Sequence, residues 1–290
     1  MSCLSIRQLA GIAICACFTE LASAQGTIQT ISFETSPSPH LRDSVKVSGK
    51  LSLPDAAGKA PAVLVLHSRA GIDGTGMFYA EALNRAGIAT LEIQMFHGAA
   101  QMPRDSRQNL PHAFGALKFL AENPAIDAGR IGIMGFSRGG GLAIMTATQT
   151  YDDMYTQGKQ RFAAHLSLYP ACVAHQGVAE GKWMTFEKGV YDKWTGKPVH
   201  ILAGEQDDYD VDADACQRFV QSLPAGARSH FGVTVYPGAT HGWEIPGDRS
   251  YFHDVAFKGK GGNVRYRHDP KTAEQSRQFA VDFFRKAFGS

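Results

Sequence analysis

Long apolar runs are missing from this sequence: the stretch from Leu9 to Phe18 is about half of the roughly 20 residues that a membrane-spanning helix takes, so stable membrane insertion is not expected. There is no His-Glu-x-x-His, no Cys-x-x-Cys and no phosphate-binding lysine loop, and Gly135 to Gly140 lack the Gly-x-Gly-x-x-Gly order of a dinucleotide fold. Metal and nucleotide chemistry therefore have no motif, and no cofactor is expected. An excess of charge of one sign is missing too. The 29 Lys and Arg against 27 Asp and Glu leave a net charge of +2, scattered without a basic stripe, which excludes nucleic acid as an expected partner.

Cysteine is scarce, five in 290 residues, and three of the five lie near the start of the chain. Residues 1–24 read as a secretory signal peptide: Arg7 in a short basic start, the apolar run, then Ala22-Ser23-Ala24 as a cleavage site. The mature chain, 25–290, is expected to be one domain, periplasmic or secreted. Cleavage removes Cys3, Cys15 and Cys17 and leaves Cys172 and Cys216. In an exported protein such a pair reads as one disulfide, two free buried thiols being the other reading. Neither lies at a turn suited to a nucleophile.

What is plentiful is apolar sequence, 44% of the chain. Val45 to Leu53 alternates like a half-buried strand and is expected to pair with an edge strand around Ile28 to Glu34. From residue 61, fully apolar strands alternate with helices. The strands are expected at Ala62–Leu66, Ile88–Ile93, Arg130–Met134, Ala163–Leu168, Val199–Ala203 and Gly232–Tyr236, and the helices around Met77–Arg85, Ala113–Leu120, the segment after Ser137 to about Thr148, Ala213–Leu223 and Thr272–Phe288. That pattern predicts an α/β fold with a mostly parallel sheet covered by helices on both faces. Residues 171–197, with Trp183, Met184, Phe186, Tyr191 and Trp194, and the polar stretch 244–269 break the alternation. The first reads either as a substrate-contacting cap or as a helix packed on the sheet.

Chemistry enters at Gly135-Phe136-Ser137-Arg138-Gly139, where an apolar strand turns into a helix. Such a nucleophile elbow forces the serine into strained backbone geometry, and small residues two positions away let strand and helix approach. A serine hydroxyl needs an imidazole to take its proton and a carboxylate to fix the imidazole. Asp207 follows the strand at Val199–Ala203 and His241 follows the one at Gly232–Tyr236. Asp208, Asp210, Asp212 and Asp214 rival Asp207, and His253 and His268 rival His241 without a preceding strand. The order Ser, Asp, His is that of α/β-hydrolases. Oxyanion donors are expected from the backbone N–H of Arg138 and, in the loop His67-Ser68-Arg69-Ala70-Gly71, from that of Arg69 with Ser68 as the alternative. The Arg69 and Arg138 side chains are candidates to hold a substrate carboxylate, and Trp243 either walls the pocket or fills the core.

Taken together, Ala62–Gly71, the Arg130–Gly140 elbow, Leu168-Tyr169-Pro170-Ala171-Cys172, Gly204-Glu205-Gln206-Asp207-Asp208 with Cys216 after it, and Tyr236-Pro237-Gly238-Ala239-Thr240-His241-Gly242 resemble the dienelactone hydrolase family. The resemblance spans residues 45–288. It implies an α/β-hydrolase fold, a Ser/Cys, Asp and His triad falling on Ser137, Asp207 and His241, and hydrolysis of small-molecule esters or lactones without a metal. Family enzymes that open dienelactone carry a cysteine where Ser137 stands and a glutamate where Ser68 aligns, which points to another substrate. The sequence thus predicts a serine esterase or lactonase. An acylase or peptidase on the same triad is the rival reading, and a degenerate hydrolase that only binds an envelope ligand is the third.

Overall fold

The computed structural model describes residues 26–55, 58–182 and 186–289. The expected signal peptide, and Trp183 and Met184, lie outside the described residues. Strands β1 (Thr27–Glu34) and β2 (Lys46–Leu53) form an antiparallel pair, as the alternation in Val45 to Leu53 predicts. Then follow β3 (Ala60–Leu66), α1 (Thr75–Arg85), β4 (Ala89–Ile93), α2 (Leu110–Glu122), β5 (Ile126–Phe136), α3 (Arg138–Met145), α4 (Gln149–Thr156), β6 (Ala164–Leu168), α5 (Cys172–Ala179) and β7 (Val199–Gly204). The chain continues through α6 (Ala215–Ser222), the single turn α7 (Ala225–Arg228), β8 (Phe231–Tyr236), β9 (Arg249–His253), the turn α8 (Ala256–Gly259), β10 (Gly262–Tyr266) and α9 (Pro270–Phe288).

Eight strands form one sheet in the order β1-β2-β4-β3-β5-β6-β7-β8, parallel from β4 onward, with β2 antiparallel to both neighbours. Residues of β3 divide by parity. Ala62, Leu64 and Leu66 join one apolar cluster with α2 and α3, while Val63 and Val65 join another with α1 and α9. A strand buried on both faces has no polar side, which is why these strands read as unbroken apolar runs. Parallel strands all point their C-terminal ends one way, so the segments after β3, β5, β7 and β8 gather at one edge. Among the described residues, no helix is long and apolar enough to cross a membrane.

One buried charge bears on pH. Glu92 of β4 sits beneath α1, where its Oε1 has no hydrogen-bond partner among the described residues, and a Cβ on Gly76 would meet that oxygen at 2.1 Å. Burial, then the charge of Asp73, pushes its carboxyl up to about 7. The folded state therefore keeps a proton that the unfolded chain releases above its ordinary value, so stability from this group is full at low pH and is lost as pH rises toward about 7. Glu92→Gln is expected to raise stability on the order of 2 kcal/mol at pH 8 and hardly at all at pH 4. Urea unfolding at the two pH values checks it.

Cys172 and Cys216 are disulfide-bonded, 44 residues apart, joining the start of α5 to α6. Chain entropy for a loop of this length gives ~4 kcal/mol. Cys172→Ser with Cys216→Ser is expected to lower stability by an amount of that order, read by urea unfolding of the oxidised protein and the variant.

Candidate active site

Ser137 sits between β5 and α3 with φ 51° and ψ −112°, a conformation costly for a residue with a Cβ. The reason lies in its glycine neighbours. A Cβ on Gly135 would stand 2.3 Å from the backbone of Gly139, and one on Gly139 would stand 2.3 Å from the carbonyl oxygen of Leu66. Strand and helix touch backbone to backbone, and the turn between them is compressed. Two hydrogen bonds hold it: Ser137 N–H to the Leu168 carbonyl at 2.9 Å and Gly141 N–H to the Ser137 carbonyl at 2.9 Å.

His241 and Asp207 arrive from the ends of β8 and β7, both nearly fully buried. His241 Nε2 lies 2.9 Å from Ser137 Oγ, and Nδ1 lies 2.7 Å from Asp207 Oδ2. An ionised carboxylate only accepts, so Nδ1 carries the proton and Nε2 faces the serine as acceptor. The other carboxylate oxygen, Oδ1, accepts from Tyr209 N–H at 2.9 Å. Three tyrosine rings cage the imidazole, with centroids 4.5 Å (Tyr209), 4.6 Å (Tyr169) and 5.5 Å (Tyr266) from its own.

Three of the four rival acids have other partners. Asp208 takes both the backbone N–H and the guanidinium of Arg265 at 2.7–2.9 Å, which fastens β10 to the body. Asp210 accepts from the N–H groups of Cys172 and Val173 at the start of α5, and burial, then the nearby Asp207 charge, pushes its carboxyl up to about 7. Asp212 pairs with Arg218 at 2.7 Å. His268 is exposed, while His253 borders the cleft beside Ser137.

The loop after β3 is held by His67, whose buried ring has Nδ1 2.7 Å from the Ser68 carbonyl and accepts at Nε2 from Met95 N–H at 3.0 Å. Ser68 Oγ accepts from Ala70 N–H, and the Ser68 carbonyl accepts from Gly71 N–H. The Arg69 N–H has no partner among the described residues. The Arg138 N–H is the first of α3, where a helix leaves its donors unsatisfied.

One expectation is corrected. Trp243 does not wall a pocket: it is fully buried, donates from Nε1 to Ser276 Oγ at 3.0 Å and packs edge-on against Tyr169. The Arg69 and Arg138 side chains, the candidates to hold a substrate carboxylate, both border the larger cleft with Ser137. Arg138 Nη2 donates to the Pro103 carbonyl at 2.5 Å and Nε to Asn109 at 3.4 Å, and burial lowers its guanidinium to about 10. Arg69 keeps a buried Nε without a hydrogen-bond partner among the described residues.

Sequence reasoning missed the contribution of the hairpin β9–β10 and of Tyr209. Tyr251, His253 and Tyr266 come from that hairpin, and Tyr209 OH lies 2.9 Å from His253 Nδ1. The aromatic pair Tyr251-Phe252 ahead of the turn glycines Gly259, Gly261 and Gly262 was the available signal. The segment 171–197 resolves partly into α5, and Glu187 is tied down by His40 at 2.7 Å, Tyr151 at 2.5 Å and Arg107 at 3.3 Å.

The model of the dienelactone hydrolase family matches residues 47–288. The chain belongs to the dienelactone hydrolase family. As a member it is a carboxylic ester hydrolase on an α/β-hydrolase fold. Similar solved structures include Est1E from Butyrivibrio proteoclasticus, with a TM-score of 0.59 and 18% identity over 89% of this chain and 99% of that one. The esterase Est22 has a TM-score of 0.62 and 18% identity over 92% and 82%, and the Pyrococcus furiosus esterase Pf2001 has 0.59 and 17% over 90% and 93%. At these identities the likeness is one of fold. No curated protein matches the sequence.

Proposed function

We propose that this dienelactone hydrolase family member cleaves carboxylic esters or lactones through an acyl-enzyme on Ser137. Ser137 Oγ attacks the carbonyl carbon while His241 Nε2 takes its proton, and Asp207 holds the tautomer and stabilises the imidazolium. The N–H groups of Arg69 and Arg138 receive the negative oxygen of the tetrahedral intermediate. His241 then gives its proton to the leaving alkoxide, and water, activated by the same imidazole, releases the acid. The observation that carries this reading is the unbroken chain Ser137 Oγ, His241, Asp207 at 2.9 and 2.7 Å.

Labelling with a fluorophosphonate, which reacts only with an activated serine, followed by peptide mass mapping is the test. Adduct on Ser137 is the expected result, and folded protein without adduct overturns it. We further infer that residues 25–290 act as one exported domain, periplasmic or secreted, after removal of residues 1–24. The disulfide between Cys172 and Cys216 supports this, since such bonds persist in oxidising compartments. Amino-terminal sequencing of the mature protein tests it, with Gln25 first as the expected result.

A further inference from the structure

Two cavities meet at Ser137, one of about 520 Å³ and one of about 450 Å³, both within the size of small-molecule sites. They share Ser137, Arg69 and His253, and otherwise differ. Ala174 and Val178 of α5, with Met102, Met145, Phe186 and Val255, give the larger an apolar wall, beside Arg104, Arg138 and the ion-paired Asp105 and Arg107. Aromatic side chains border the smaller: Tyr169, Tyr251, Phe252 and Tyr266, with His241. His241 belongs to the second cavity alone.

That asymmetry assigns the two sides, if the serine mechanism proposed above holds. In the first half-reaction the bond from Ser137 Oγ to the carbonyl carbon forms and the ester carbon–oxygen bond breaks. The proton from Ser137 passes through His241 Nε2 to the departing alkoxide, so the alcohol must stand on the His241 side. The acyl group stays on Ser137 and has only the other cavity to occupy. In the second half-reaction water adds at the acyl carbon, its proton travels through the same nitrogen to Ser137 Oγ, and the free acid leaves. We propose that the cleft is divided into an apolar acyl side and an aromatic alcohol side, and that the substrate class is an ester of an apolar acyl group with an aromatic alcohol.

The alcohol side is built before substrate arrives. Tyr251 and Tyr266 stack with centroids 5.5 Å apart and an interplanar angle of 24°, and their hydroxyls are 2.9 Å apart. Arg69 stands over Tyr251 at 5.9 Å and Arg249 over Tyr266 at 4.9 Å. Rings held in place by partners on their hydroxyls and faces lose little freedom when a further ring packs against them, which favours a flat aromatic leaving group over an alkyl one.

The experiment compares kcat/KM ratios in the full-length mature protein. Acyl preference is the ratio of p-nitrophenyl hexanoate to p-nitrophenyl acetate, and alcohol preference is the ratio of phenyl to methyl hexanoate. Ala174→Trp is expected to lower the first ratio by about tenfold or more. Tyr251→Ala is expected to lower the second by about tenfold, with no matching loss in the first. Val178→Phe and Phe252→Ala carry the same readouts should either first variant fail to fold, Phe252 being 70% exposed. Effects on the opposite ratios, or on neither, overturn the division. Fluorophosphonate labelling separates the two readings: if wild-type Ser137 labels and the ratios do not move, only the division falls, whereas an unlabelled Ser137 removes the mechanism on which it rests.

Discussion

Ser137→Ala is expected to lower ester turnover by up to about a millionfold, with thermal stability little changed. The variant keeps every backbone contact of the elbow, including the 2.9 Å bond from its N–H to Leu168, and places a methyl group where φ 51° already accommodates a Cβ. What disappears is the oxygen proposed to form the acyl bond and its 2.9 Å link to His241 Nε2. Activity then falls to what oriented binding and the proposed Arg69 and Arg138 donors supply to attack by water, which in comparable triads is a factor of about a thousand to ten thousand over solution. Steady-state kinetics with p-nitrophenyl acetate, beside a melting curve, checks both halves. Retention of most of the turnover would exclude Ser137 as nucleophile.

Asp207→Asn is expected to cost about ten-thousandfold in kcat. The geometry here says why an isosteric change is so damaging. Tyr209 N–H donates to Oδ1 at 2.9 Å, so an asparagine must keep its carbonyl oxygen on that side and turn its NH2 toward His241 Nδ1. Nδ1 must then accept, which moves the ring proton to Nε2 and aims it at Ser137, where a proton acceptor is needed. Burial closes the escape, since Asp207 and His241 are each at most 4% exposed and water cannot stand in for the missing partner. A pH profile of kcat for wild type and variant, with labelling at Ser137, measures the effect; a loss under tenfold would show that another group orients the histidine.

That Ser137, His241 and Asp207 meet was legible because each follows the C-terminal end of a parallel strand. Gly135 and Gly139, read as small residues at an elbow, prove to be a backbone contact at each end of Ser137. Position after a strand also separated Asp207 from Asp208, one residue away, whose side chain points to Arg265 instead. Trp243 shows the opposite case. Two residues past His241 suggested the cleft, but the backbone turns at Gly242, φ 65°, and the indole enters the core to reach Ser276.

Apolar periodicity and turn chemistry are local properties of the chain, so the strands of the main sheet, the elbow and the order Ser137, Asp207, His241 could be read from sequence. Tertiary structure alone decided what surrounds them. Tyr169, Tyr209 and Tyr266 lie far apart in sequence and meet only around the His241 ring. The hairpin β9–β10 is tied to the body in part by a buried carboxylate, Asp208, 57 residues from its arginine partner. Contacts across such separations follow from the packing of the whole sheet and its helices, and no spacing within a single segment encodes them.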